Sequence, residues 1–501
     1  MIRFITYSIF FFYSLWSAAL FADVTHYFNA IQHNPNALYA FFKEMPKGGE
    51  LHYHLAGGAF PENMIHIAAS KPFCVNPNTW QIQKKIAPCE GIEANTLFKK
   101  PLAYRQLIRA WSLKDFVPGK ESAHDHFFAS FDKFMPIVAE HSSTLLTEII
   151  QRAANQQALY LEVMILPDQG NSMRFAPLIQ QSASLSEKKQ ILLNNAAFRD
   201  HINTAVSTSN HLLQSTKNQL GCTKQPKQAA CQVVVKFQYF ILREQPLDNV
   251  FAQALSAFAS ASQSPEVVGI NLVQAEDGIL ALKDYHEQMK IIAFLHQAYP
   301  NVHIALHAGE LSPTDVTPEN LRFHIQEAIN IGHAERIGHG VDIAYENHAE
   351  ALVKQMASNP IPVEINLTSN RKILGIDGAS HPLHFYLSHH VPVVLSTDDE
   401  GVLRTDLTSQ YVEAVITHHL NYPTIKNINR NALTYSFLPG ASLWADNRTH
   451  SLTSACKELD SAACQAFLKT SHKAQLQWQL EKRLDIFEKR YQTRNEKDKT
   501  I

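Results

Sequence analysis

Seven polar residues in the chain fall into four short clusters whose types suit one chemistry. His52 and His54 flank Tyr53. His307 and Glu310 bound His307-Ala308-Gly309-Glu310, His339 sits between Gly338 and Gly340, and Asp398-Asp399 follow Ser396-Thr397. Three imidazole nitrogens from His52, His54 and His307 with a carboxylate oxygen from Asp398 make a donor set that zinc accepts, with room left for water. One Zn2+ per chain would lower the pKa of a bound water from about 15.7 to about 7 and make hydroxide available at neutral pH. Gly309 lets the chain turn tightly, so the Glu310 carboxyl can approach a substrate and deliver a proton to a ring nitrogen while hydroxide attacks the adjacent carbon. His339 is placed to orient and polarise the water. Asp399 is placed to accept a hydrogen bond from water or substrate.

Such groups need a scaffold that brings distant segments to one rim. Apolar, β-branched runs recur at 50–55, 158–165, 232–242, 267–273, 303–307, 336–343, 362–367 and 392–396. Between the later runs lie segments with apolar residues at helical spacing, such as 283–298, 318–331 and 347–358. Strand and helix alternating eight times reads as an α/β fold, a parallel (β/α)8 TIM barrel. Active sites of that barrel form where strand C-termini meet the following loops. His52 and His54 end the first run, and strand period two puts both imidazoles on one face. His307 and Glu310 close the fifth, His339 follows the sixth and Asp398-Asp399 close the eighth.

The rest of the chain is read around that barrel. Residues 1–22 carry one basic residue, an apolar run from Phe4 to Phe21, and small residues before Asp23. This is the pattern of a secretory signal peptide cleaved after Ala22 or Ala19, so a secreted or periplasmic protein is expected, with no stable membrane span after cleavage. Residues 23–45 form an N-terminal segment and 46–435 the barrel, with insertions at about 70–140 and 167–231. Residues 436–501 form a helical region ending in a charged tail. The six cysteines form three sequence-local pairs, Cys74 with Cys89, Cys222 with Cys231 and Cys456 with Cys464, and an even count in an exported chain favours disulfides. Lys+Arg number 44 against 46 Asp+Glu, and this near balance argues against a broad electrostatic nucleic-acid binder. Most of the 26 histidines are read as surface or core residues, including His389-His390 and His418-His419. A homodimer is left open.

Met45-Pro46-Lys47-Gly48-Gly49-Glu50-Leu51-His52-Tyr53-His54, His307-Ala308-Gly309-Glu310, Arg336-Ile337-Gly338-His339-Gly340 and Ser396-Thr397-Asp398-Asp399 together resemble the adenosine deaminase family. The Pro-Lys-Gly-Gly entry, the leader, the insertions and Ser369-Asn370 are closest to its secreted branch, the adenosine-deaminase-related growth factors. The resemblance spans about residues 45–435. It implies a mononuclear zinc barrel of the amidohydrolase type that converts adenosine and 2′-deoxyadenosine to inosine or deoxyinosine plus ammonia. It assigns His52, His54, His307 and Asp398 to zinc, Glu310 to proton donation at purine N1, and His339 and Asp399 to positioning the hydroxide, Asp399 also touching N7. Gln274 takes the place of a glycine whose N–H meets purine N3, and Ala56 the place of an aspartate that contacts the ribose. Gln274, Glu276, Trp111 and Asp399 are the substrate-binding candidates. Tyr53, Phe127 and Phe128 are weighed more heavily as core. Another aminopurine, adenine or a modified adenosine, is the alternative substrate. A binuclear hydrolase is disfavoured because Gln274 and Glu276, not lysine, follow the fourth strand. An exported signalling or adenosine-binding protein with secondary catalysis is the reading from another class.

Overall fold

The computed structural model describes residues 24–85 and 88–498. The leader region 1–22 and the last residues of the tail lie outside them. Eight parallel strands form one sheet in chain order: β1 Glu50–His54, β2 Tyr160–Ile165, β3 Val234–Leu242, β4 Val267–Val273, β5 His303–Ala308, β6 Arg336–His339, β7 Val363–Ile365 and β8 Val393–Leu395. β1, β2, β6, β7 and β8 are buried along their whole length. That explains their near-continuous apolar character, since helices cover one face and the barrel interior the other. The ring closes through two backbone hydrogen bonds between the ends of β1 and β8, from His54 N–H to the Asp398 carbonyl at 3.1 Å and from Asp398 N–H to the His52 carbonyl at 3.3 Å.

The alternation expected from the sequence is present. The helical segments appear as Ile279–Ala298, His324–Asn330 and Ala349–Ser358. The middle one is shorter than its apolar periodicity suggests, because residues 311–323 form turns. The sixth strand stops at His339 rather than running to 343. His339 takes φ +67°, a left-handed conformation that no strand continues through.

Two long excursions leave the barrel between β1–β2 and β2–β3. The first holds a small antiparallel sheet, Phe73–Val75 between Ile82–Lys84 and Ile92–Glu93, with Cys74 bonded to Cys89. It then forms α1, Ala123–Asn155, which contains Pro136 and bends at His141 (φ −129°, ψ 23°). The second carries α2, Ala196–Gln219, and the Cys222–Cys231 bridge. The C-terminal region adds the Cys456–Cys464 bridge and α3, His472–Asp498. Phe487 and Tyr491 of α3 meet Phe41 ring to ring, which ties this helix to the N-terminal segment. Among the described residues, no helix is long and apolar enough to cross a membrane.

Candidate active site

The strand ends deliver the expected donors to one point. Ligand atoms of His52, His54, His307 and Asp398 all lie within 4.8 Å of one another, and all four residues are buried. His54 Nε2 is 3.3 Å from His307 Nε2 and 3.2 Å from Asp398 Oδ1, while His52 Nε2 is 3.4 Å from the same Oδ1. Ligands about 2.0–2.1 Å from a tetrahedral zinc stand about 3.3 Å from each other. His52 Nε2 is buried without a hydrogen-bond partner. The donors therefore fit a single small cation.

The rings are held for that purpose by residues the sequence reading did not single out. His52 Nδ1 meets Glu364 Oε2 at 2.8 Å, and His307 Nδ1 meets Asn271 Oδ1 at 2.9 Å. Each outer contact takes the Nδ1 proton and leaves the Nε2 lone pair facing inward. Glu364 also accepts from Arg336 Nε at 2.6 Å. Burial opposes its charge, but that guanidinium and His52 hold its carboxyl below the ordinary range. Ser369 Oγ donates to Asp398 Oδ2 at 2.8 Å. Burial lowers the pKa of His54 and takes that of His307 well below its usual value, so both rings offer lone pairs. Burial also works against charge on His52, yet the neighbouring Asp398 and Glu364 carboxylates push its pKa up to about 9. A proton and a metal compete for the same nitrogen there.

Glu310 faces this cluster from the turn after β5. Gly309 has φ +73°, and a Cβ there would fall 2.3 Å from Asp342 Oδ1. The tight turn thus requires glycine. Burial, reinforced by the charges of Asp398 and Glu276, raises the Glu310 pKa well above the usual carboxyl value. A carboxyl whose pKa is raised holds its proton more firmly than a free one and can deliver it to a bound base.

His339 Nε2 lies 3.6 Å from Glu310 Oε1 and 3.9 Å from Asp398 Oδ2. Its tautomer follows from a chain of contacts anchored on a backbone donor. Leu383 N–H donates to His381 Nδ1 at 3.1 Å, so His381 carries its proton on Nε2 and gives it to Asn370 Oδ1 at 3.0 Å. Asn370 must then present Nδ2 to His339 Nδ1, 3.0 Å away. His339 accepts at Nδ1 and bears its hydrogen on Nε2, toward the cluster. Asn366 Nδ2 stands 3.4 Å from that Nε2, a donor opposite a donor. The Asn366 Oδ1 has no other partner among the described residues, and rotating the amide turns this acceptor toward Nε2–H. Burial holds the His339 pKa down to about 3, so the ring is neutral.

Asp399 is buried beside Asp398, and its Oδ1 has no hydrogen-bond partner among the described residues. A Cβ at Gly57 would come within 1.8 Å of that oxygen, so glycine is what leaves the carboxyl its space.

The substrate-binding candidates divide. Glu276 is buried beside the turn after β5. Its Oε1 accepts from Gly309 N–H at 3.0 Å and meets His324 Nδ1 at 2.6 Å, and its Oε2 accepts from Glu310 N–H at 2.9 Å. It holds the turn that carries Glu310. Trp111 is fully buried, with Nε1 donating to the Trp80 carbonyl at 2.8 Å and its ring edge-on to Phe134. Tyr53 and Phe127 are buried too, Tyr53 giving its hydroxyl proton to Glu400 Oε2 at 2.7 Å. Phe128 packs on His124, whose Nε2 is 3.1 Å from Asp277. Gln274 follows β4 at φ +90°, a backbone that favours glycine, and its Oε1 accepts from Glu244 N–H at 3.0 Å. The side chain is thereby turned to the neighbouring loop. Of the other histidine pairs, His389 meets Glu350 on the surface, and the His418 carbonyl meets His384.

The family model described as adenosine deaminase matches residues 112–445, a stretch that contains His307, Glu310, His339, Asp398 and Asp399. The adenosine deaminase of Xenopus tropicalis is 23% identical over 399 residues, 78% of this chain and 90% of that protein. That of Clostridium kluyveri is 24% identical over 396 residues, 79% of this chain and 90% of that one. Among solved structures, Arabidopsis ADAL complexed with IMP superposes with a TM-score of 0.52 at 20% identity, covering 79% of this chain and 93% of that one, and supports the barrel fold. With these likenesses added to the site's geometry, the chain belongs to the adenosine deaminase family.

Proposed function

We propose that the protein is an exported, zinc-dependent aminohydrolase that replaces the 6-amino group of adenosine and 2′-deoxyadenosine with oxygen, releasing ammonia. The observation that carries this reading is the convergence of four buried ligand atoms within 4.8 Å of one another, with Glu310 and His339 beside them. His52, His54, His307 and Asp398 would hold one ion, and when bound it supplies Lewis acidity that makes water ionisable near neutral pH. The remaining chemistry belongs to the side chains. Glu310 gives its proton to purine N1 and so makes C6 electrophilic. Its reach is set by Glu276, which grips both backbone N–H groups of the turn. The His339 Nε2–H donates a hydrogen bond to the attacking oxygen and orients it. Asp399 offers its unpartnered Oδ1 to the same oxygen or to the base at N7. Export is supported by the three disulfides, which persist in oxidising compartments.

The test is an absorbance assay of purified protein against a panel of aminopurine nucleosides and free adenine, with and without a zinc chelator. Adenosine and 2′-deoxyadenosine should be deaminated, and the chelator should abolish the activity. Release of ammonia from none of these compounds would overturn the proposal.

A further inference from the structure

The two excursions that enlarge the barrel meet over one side of its mouth. A cavity of about 1060 Å3 begins at Leu55 and Ala56, the two residues after His54. It runs past Met164 on β2 and Phe240 on β3, then outward between α1 and α2. This volume sits at the upper edge of the roughly 300–1,000 Å3 that encloses a drug-sized ligand, so it holds more than a sugar. The cavity lies across the ring from the proton donor. Glu310 follows β5 and His339 ends β6, whereas the cavity opens above β1, β2 and β3. A purine whose C6 and N1 face Glu310 projects its N9 sugar toward that opposite side.

The α1 wall is apolar at Met135 and Val138 and also carries the lining carboxylates, Asp132 and Glu140. On α2, residues at helical spacing of four bring Asn203, Ser207 and His211, with Thr208 beside them, to the cavity as an exposed polar stripe. Lys and Arg are absent from its lining, where the ionisable groups are Asp132, Glu140 and His211. A phosphate brought here would meet two carboxylates and no fixed cation. Asp168 fastens α2 to the rim, its Oδ2 lying 3.0 Å from His201 Nε2.

We propose that the cleft between α1 and α2 is a specificity site for the sugar-side substituent of the substrate. It accepts an uncharged, hydroxyl-bearing 5′ extension and rejects a 5′-phosphate. This rests on the reading of the metal cluster as a purine nucleoside aminohydrolase site. The alkyl part of such an extension lies along Met135 and Val138, and its hydroxyl reaches Ser207 and Thr208.

The experiment compares kcat/KM for adenosine, 5′-deoxy-5′-(4-hydroxybutylthio)adenosine and adenosine 5′-monophosphate. The thioether is expected to match or exceed adenosine, and the monophosphate to fall roughly a hundredfold below it. Ser207→Trp should lower kcat/KM for the thioether about tenfold more than for adenosine, and Thr208→Arg should narrow the gap between monophosphate and adenosine. If adenosine is deaminated but the thioether is not, or if the monophosphate is used as well as adenosine, the specificity site is refuted while the aminohydrolase stands. If both variants treat all three compounds as the parent does, the cleft plays no part in selection. If none of the three is deaminated, it is the aminohydrolase reading that fails.

Discussion

Asn370 donates from Nδ2 to His339 Nδ1 across 3.0 Å, and this contact fixes which nitrogen of His339 carries the hydrogen. A ring with its proton on Nε2 has no free lone pair toward the cluster. In the proposed reaction it would orient the attacking oxygen as a donor and would not take its proton. Asn370→Ala should lower kcat by about 10–100-fold, the usual cost of losing a partner that orients an active-site ring. Asn370→Asp should lower it further, because a carboxylate there calls for hydrogen on Nδ1 and reverses the tautomer. Metal content by atomic absorption should stay at the parent value in both. Parent-level kcat in Asn370→Asp would rule out the donor role.

Glu310→Gln keeps the shape of the side chain and removes its transferable proton. General acid–base groups contribute about 10²–10⁴-fold, so kcat should fall by that order while the metal remains bound. Survival of activity in a rapid spectrophotometric assay would mean that another group protonates the ring.

One zinc per chain is expected on elemental analysis. A chelator should remove it with loss of activity and a lower melting temperature. A ligand that binds only the folded state stabilises it by about 4 kcal/mol at a thousandfold excess over Kd. His307→Ala should bind no zinc at stoichiometric concentration. Two tightly held ions per chain would contradict the mononuclear site.

Glu276→Gln puts an amide NH2 where one carboxylate oxygen now receives a backbone N–H. A donor then opposes a donor in a fully buried place. The loss should be about 1–3 kcal/mol in denaturant unfolding. Because Gly309 and Glu310 are the residues released, kcat should fall as well, with KM for adenosine changed less.

Asp168 links the rim of the barrel to α2. Burial opposes its charge, but hydrogen bonds from His201 and from the Ser172 backbone N–H overcome it and bring its pKa down to about 2. A carboxyl depressed on folding stabilises the native state above its unfolded pKa of about 3.9, and that contribution disappears as pH falls through the folded value. Asp168→Asn should therefore cost about 2 kcal/mol at pH 7 and much less near pH 2. Equal destabilisation at both pH values would show that the contact does not depend on ionisation.

The barrel and its ligand set were legible because their signals are local. His52-Tyr53-His54 shows its two-residue period in one glance, and each later motif directly ends or follows an apolar run. What escaped was anything defined by a partner far along the chain. Nothing near Glu364 in the sequence says that it meets His52, and nothing near Asn370 says that it lies between His339 and His381. The contacts of Trp111 with Trp80 and Phe134 were not legible either, because an aromatic in an insertion gives no sign of which way it faces. Glu276 was singled out from its place after β4, but its partners were not legible. Its carboxylate points into the turn it supports, a fact that depends on the φ +73° of Gly309 more than on any spacing.

The barrel closes through the backbone of His52, His54 and Asp398, which also supply three of the four ligand side chains. The seam of the ring and the metal pocket are therefore one place. A growing chain has His52 and His54 almost at once, but it cannot assemble the pocket until Asp398 has been made and β8 has come round to β1. A product truncated before that residue has an open ring and three histidines without their carboxylate. Metal retention in this protein thus reports that the whole circuit of strands has been completed.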